Sequence, residues 1–251
     1  MIYFVGAGSG APDLITVRGA RLLSEADVIV YAGSLVNPAL LDYKKDGCEV
    51  YNSAKMTLEE VIAVMAPAAK AGKTVVRLHT GAPCVYGAHR EQMDELDKRG
   101  IPYEVCPGVS SFCGAAAALK AEYTLPNVSQ SVILTRMEGR TPVPEKEQIE
   151  SFAAHGATMV IFLSAGQLAR LSERLIAGGY APDTPAAIVY KATWPDEKVV
   201  RTTVADLAAA GAREGITKTA LITVGGFLGT EYERSKLYDP TFTTEFREAS
   251  R

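Results

Sequence analysis

The chain has 251 residues, 47% of them hydrophobic and 22% charged, with a formal net charge of −3. That balance is globular; it excludes a disordered or collagen-like chain and lacks the basic excess of a general nucleic-acid binder. The length suits one large domain or two of ordinary size.

The chain enters an apolar strand at residues 2–5, without the charged n-region, long apolar h-region or cleavage site of a signal peptide. The strand runs into Phe4-Val5-Gly6-Ala7-Gly8-Ser9-Gly10-Ala11-Pro12-Asp13-Leu14-Ile15-Thr16. Gly6, Gly8 and Ala11 satisfy the relaxed G-x-G-x-x-A spacing of a dinucleotide loop. Two features oppose that use. The second strand ends Val30-Tyr31-Ala32-Gly33-Ser34 without the acidic residue that holds the ribose, and Pro12-Asp13 delays the helix until Thr16 can cap it.

Further strands are expected at 28–31, 49–51, 74–78 and 103–106, and helices at 17–26, 58–71, 89–99 and 111–121. Leu58, Val61, Ile62, Met65 and Ala69 make one helical stripe, with Thr57 and Glu60 spaced as a capping box. Such alternation predicts a mostly parallel sheet covered by helices. After a break near Pro126 the pattern resumes, with strands at 131–135, 159–164, 186–190 and 220–224 and helices at 146–155, 167–177 and 204–212. Prolines 142 and 144 make the segment before the first of these helices a loop. The fold class is α/β: an N-terminal domain over residues 1–122 with glycine loops, a C-terminal domain over 128–230, and a polar, peripheral tail at 231–251. Two such domains place the active site in a cleft between them.

No apolar run approaches the roughly 20 residues that span a bilayer. Cys48, Cys84, Cys106 and Cys113 form no C-x-x-C pair, and with His79, His89 and His155 they show no metal-ligand spacing. The expectation is a cytoplasmic protein with reduced thiols, no metal, and neither a membrane nor a nucleic-acid partner. Phosphate-cradle, nucleophile-elbow and zinc-protease motifs are absent from the sequence.

Two later loops also leave first-half strands: Thr80-Gly81-Ala82-Pro83-Cys84-Val85-Tyr86-Gly87, and Pro107-Gly108-Val109-Ser110-Ser111. At the carboxyl edge of a parallel sheet, three such loops present backbone amides and carbonyls to a polar but nearly neutral ligand. S-adenosylmethionine fits that description better than a triphosphate.

These three loops, with Ala157-Thr158-Met159-Val160-Ile161-Phe162-Leu163 and Thr184-Pro185-Ala186-Ala187-Ile188-Val189, occur in the order of the tetrapyrrole (corrin and porphyrin) methylases, which the chain resembles. Tyr31-Ala32-Gly33-Ser34-Leu35-Val36, the segment from Tyr51 to Glu60 and that from Thr124 to Arg136 look like the precorrin-4 C-11 methyltransferases, cobalt-precorrin-4 enzymes included. The resemblance implies methyl transfer from S-adenosylmethionine to carbon 11 of the precorrin, with S-adenosylhomocysteine as product, in cobalamin biosynthesis. It also implies a homodimer.

By the same resemblance Ser9, Thr80, Gly81, Ala82, Val85, Ser110, Ser111, Leu163 and Ala192 fall where the family contacts the donor. The family's second motif reads Gly-Asp-Pro, and Ala82 stands in place of its aspartate. The substrate's acetate and propionate groups need cations, for which Lys55, Arg90, Arg136 and Arg140 are expected, and Tyr31 is expected to line the macrocycle. No catalytic group is assigned; His79 and Tyr86 are the candidates. The other readings are methylation at another precorrin position, a nicotinamide-dependent oxidoreductase, and a non-catalytic binding module.

Overall fold

The computed structural model describes residues 1–250, so the final residue of the tail lies outside the described residues. Contacts divide the chain into two compact units. Unit 1 comprises Met1–Gly114 and Ala192–Asp196, and unit 2 the remainder.

Unit 1 holds β1 (Ile2–Gly6), β2 (Val28–Tyr31), β3 (Glu49–Asn52), β4 (Val75–His79) and β5 (Tyr103–Cys106) in the order β3-β2-β4-β1-β5. Every pairing is parallel, as the alternating pattern requires. The crossovers include α1 (Val17–Glu25), α2 (Leu58–Lys70) and α3 (Arg90–Asp97). Thr16 caps α1, its hydroxyl accepting from the Gly19 amide at 3.0 Å. Thr57 and Glu60 close the capping box of α2, at 3.3 and 2.7 Å. Strand alternation then divides the core. Val5, Ile29, Val76 and Leu78 pack with Leu22 and Leu23 of α1, whereas Phe4, Val28, Val30 and Val75 pack with Val61, Ile62 and Met65 of α2 and Leu96 of α3. Each such side chain fully buried contributes about 1.5–3 kcal/mol. The helix α4 (Ser111–Leu119) begins directly after the loop that leaves β5.

Unit 2 holds β6 (Val132–Arg136), β7 (Thr158–Phe162), β8 (Pro185–Tyr190), β9 (Lys198–Thr203) and β10 (Ala220–Val224), ordered β6-β7-β10-β8-β9. Only β6 and β7 pair in parallel; the other three pairings are antiparallel. The helices α5 (Ile149–Ala153), α6 (Leu168–Ala177) and α7 (Leu207–Arg213) bury Ile149, Leu171, Leu175 and Leu207 against Met159, Ile161, Ile188 and Ile222.

Unit 2 departs from the sequence reading in several places. β9 was not expected, because Lys198 and Arg201 break its apolar character; it is an exposed edge strand, where such charges discourage further pairing. No helix separates β8 from β9, so the chain returns antiparallel and the sheet is mixed. The helix expected over 146–155 contracts to α5, since Gln148 is extended (ψ 151°) and separates it from a 3-10 turn at Glu145–Glu147. The strand expected through residue 164 stops at Phe162, where Leu163 adopts a left-handed φ of 53°. Among the described residues no helix is long and apolar enough to cross a membrane. Over residues 231–250 the tail is mostly exposed, with a 3-10 turn at Lys236–Tyr238.

Candidate functional site

The loops leaving β1 and β4 are joined backbone to backbone. The Ala7 amide donates to the His79 carbonyl at 2.7 Å, and Gly8 and Gly81 exchange two hydrogen bonds of 3.2 and 2.9 Å. The third loop closes against both through glycines that leave no room for a side chain. A methyl group on Gly6 would lie 2.6 Å from the Gly108 Cα and the Gly81 carbonyl oxygen, and one on Gly108 would lie 2.2 Å from that oxygen. These glycines therefore serve the convergence of three backbones. The sequence pattern that mimics a dinucleotide fingerprint has this cause.

The segment Ala192–Asp196 belongs to the same unit and secures the first loop. The Thr193 hydroxyl lies 3.2 Å from the Ser9 hydroxyl and accepts from the Ala11 amide at 2.9 Å. Thr193 holds φ at 68°, a costly conformation for a β-branched residue. A side chain on Gly10 would strike the Trp194 indole at 2.2 Å. Asn37 donates to the Gly10 carbonyl at 2.9 Å, which braces the loop from another direction.

Unit 1 thus gathers several of the residues expected at the donor site. Ser9, Gly81, Ala82, Ser110 and Ala192 are all buried, and Gly81 abuts Ser110 and the Ser111 amide. Thr80 donates to the Leu35 carbonyl at 3.3 Å, and Val85 is half-buried. Tyr86 is 46% exposed, with φ at 53°. Two histidines lace this second loop: His79 hydrogen-bonds the Gly87 backbone and His89 the Pro83 backbone.

The expected substrate residues are more scattered. Tyr31 is half-buried, and its carbonyl accepts from Ser53 at 3.1 Å. Lys55 is exposed on the 3-10 turn after β3. Arg90 is exposed and pairs with Asp94 of its own helix at 2.7 Å. In unit 2, Arg136 spends its guanidinium on the Met137, Thr141 and Pro142 carbonyls, holding the loop after β6, and Arg140 is exposed on that loop. Leu163 lies in the same unit, 63% exposed although apolar. The buried Ser164 beside it accepts from the Met137 amide at 2.9 Å and donates to the Phe162 carbonyl at 2.7 Å, tying the ends of β6 and β7 together.

His79 is buried, stacked on Phe4 at 6.0 Å, and its Nε2 has no hydrogen-bond partner. Burial, assisted by the charges of Arg77 and His89, pulls its pKa down to about 3. The ring is neutral at neutral pH and too feeble a base to hold a proton there. Arg77, Thr193 and Trp194 escaped the sequence reading. Arg77 alone carried a signal, as a cation inside the apolar run Val75-Val76-Arg77-Leu78.

A family model described as Tetrapyrrole (Corrin/Porphyrin) Methylases matches residues 1–208. The cobalt-precorrin-4 C(11)-methyltransferase of Methanocaldococcus jannaschii is 55% identical over 249 residues, covering 99% of this chain and 96% of that protein. The precorrin-4 C(11)-methyltransferase of Sinorhizobium sp is 46% identical over 98% of each chain. An X-ray structure of a cobalamin biosynthetic enzyme, a cobalt precorrin-4 methyltransferase, superposes with a TM-score of 0.89 at 50% identity, covering 91% of this chain and 96% of its own. The uroporphyrin-III C-methyl transferase of Thermus thermophilus, solved in complex with S-adenyl homocysteine, superposes with a TM-score of 0.74 at 28% identity, covering 90% and 92%. Sequence and fold agree over nearly the whole length: the chain belongs to the tetrapyrrole (corrin/porphyrin) methylase family.

Proposed function

We propose that this protein is an S-adenosylmethionine-dependent methyltransferase that methylates carbon 11 of precorrin-4 or cobalt-precorrin-4 in cobalamin biosynthesis. The observation that carries the reading is the lock of three strand-end loops at Gly6, Gly81 and Gly108, with Ser9 set beside it by Thr193. The names of relatives at 55% and 46% identity over almost all of this chain support the reaction and its position.

The loops fit a donor of this kind. They offer backbone groups and hydroxyls, and the left-handed Gly81 turn leaves its Cβ position open to within 3.4 Å of the Ser111 amide. The donor's sulfonium supplies an already activated methyl group. The protein's part is to bind and orient. Ser9, Gly81 and Ala82 would hold the donor from the first two loops, and Ser110 and Ser111 would present a hydroxyl and an amide to it from the start of α4. The rigidity that the glycine lock and the strained Thr193 turn confer fixes these groups before the donor arrives, so little ordering remains to be done on binding. Neutral His79 packs behind the second loop and holds its shape through Gly87 rather than taking a proton. The active form is a homodimer in the cytoplasm.

Calorimetric titration with S-adenosylhomocysteine and with NAD tests the donor class. Trp194, the chain's single tryptophan, stands against Gly10 and gives an independent fluorescence signal. Binding of the homocysteine compound with no response to NAD is expected; the reverse would replace the reading by an oxidoreductase. A methyl-transfer assay with precorrin-4 and its cobalt form then separates an enzyme from a binding module, and light scattering gives the mass of the assembly.

A further inference from the structure

One buried cation in unit 1 has no anion. Arg77 sits in the middle of β4 and is 6% exposed. Its Nε donates to Gln92 Oε1 at 2.9 Å, and its Nη1 to the carbonyls of Val30 at 3.1 Å and Leu78 at 3.5 Å. Every one of these partners is neutral, and among the described residues no carboxylate stands within ion-pair distance. Nη2 makes no hydrogen bond within the protein, yet it is not among the sealed, unpartnered polar atoms, so it keeps access to solvent.

Arg77 also lines a pocket of about 150 Å³, together with Ser53, Met56, Thr57, Val61 and Gln92. Gln92 is fixed with its oxygen toward Arg77, because its own Nε2 donates to the Ala88 carbonyl at 2.9 Å. The pocket's one carboxylate, Glu91, is exposed. Desolvation brings the guanidinium's pKa down to about 10, so it remains charged at neutral pH. Taking a cation out of water is costly unless an anion compensates. A guanidinium with Nη2 free to donate, on a residue that lines a pocket with apolar walls at Met56, Leu58 and Val61, suits a carboxylate on a short methylene stem.

We propose that Arg77 anchors a carboxylate subsite that takes one acetate or propionate arm of the tetrapyrrole. The identity of the ligand rests on the proposed function; the existence of the anion subsite rests on Arg77 and its pocket. The exposed Lys55 lies on the same turn as Ser53 and supplies a cation at the surface to draw the arm inward.

Gln92→Glu and Arg77→Gln test this together. The first puts a carboxylate where Gln92 Oε1 now lies, 2.9 Å from Arg77 Nε, and so supplies the missing anion from within. The expected result is a rise of tenfold or more in KM for cobalt-precorrin-4 in both variants, with kcat and S-adenosylhomocysteine affinity retained. Their thermal midpoints should move in opposite directions, up for Gln92→Glu and down for Arg77→Gln. A purely structural arginine predicts the higher midpoint of Gln92→Glu with an unchanged KM, and that result would overturn the proposal even if Arg77→Gln fails to fold. Propionate, compared with sodium chloride at equal ionic strength, should raise the midpoint of the wild-type protein but not of Gln92→Glu. No rise, or an equal rise with inorganic phosphate, would count against a carboxylate-arm subsite. The propionate readout needs no turnover: a wild-type protein that binds propionate this way but transfers no methyl group overturns the functional reading and leaves the subsite standing.

Discussion

Replacing Gly6 with alanine probes the glycine lock directly. Gly6 has no left-handed backbone, so the cost of the new methyl group is close approach alone. That methyl would stand 2.6 Å from three backbone atoms, the Gly108 Cα, the Gly108 nitrogen and the Gly81 oxygen. Ordinary contact begins near 3.4 Å, so the loops must separate by about 0.8 Å, and none of these atoms is the end of a flexible side chain. Overpacking of this kind costs about 3 kcal/mol. At about 2–4 °C per kcal/mol for a chain of this size, the thermal midpoint should fall by about 6–12 °C. Gly72→Ala is the control. Gly72 has φ at 79° and nothing within 4 Å of its Cβ position, so only backbone strain acts there. That strain is about 1 kcal/mol, or about 2–4 °C. Melting by circular dichroism, with calorimetric titration of S-adenosylhomocysteine, reads both effects. Gly6→Ala should also weaken S-adenosylhomocysteine binding at least tenfold, because the displaced loops carry Ser9, Gly81 and Ser110. If Gly6→Ala melts within a degree or two of the wild-type protein, or no lower than Gly72→Ala, the three backbones are not locked as described.

Two further outcomes are expected. Ala82→Asp restores the acid of the family motif at a buried position beside Gly81 and should tighten S-adenosylhomocysteine binding; an unchanged or weaker calorimetric affinity would show that the carboxylate is irrelevant in this chain. In unit 2, Arg174 hydrogen-bonds Glu150 at 2.6 and 2.5 Å and also pairs with Glu138, holding both carboxyls below the ordinary glutamate value of 4.5. Because their folded values are depressed, this stabilisation is complete above about pH 4.5 and is lost as the pH falls through the folded values. Arg174→Met should therefore cost about 2 kcal/mol at pH 7 and flatten the acid limb of the melting profile; an acid limb parallel to that of the wild-type protein would place the sensitivity elsewhere.

Much of unit 1 was legible in the sequence because its signals are local. Thr16 and the Thr57–Glu60 box set helix starts through their own hydroxyls and carboxylate, and the apolar period separated strands from helices within a residue or two. The three glycine loops were recognisable as a set for the same reason. Unit 2 was harder to read. Its sheet order depends on whether a helix or a short turn joins β8 to β9, and the charged edge strand hides that choice from periodicity.

The α/β class, the helix caps, the ordered loop motifs and, through them, the family can be read along the chain. The reason for the glycines' positions emerges only when the loops are packed together. A dinucleotide fingerprint and a backbone lock can place glycines at the same spacing; the missing acid after Tyr31 argues against the first, and the positive cause is what approaches the missing side chain, which at Gly6 and Gly108 is another loop's backbone. The same holds for Arg77. Its place in a strand can be read along the chain, but its lack of a counter-charge depends on which groups the fold brings near it, and these prove to be a glutamine, two carbonyls and an open pocket.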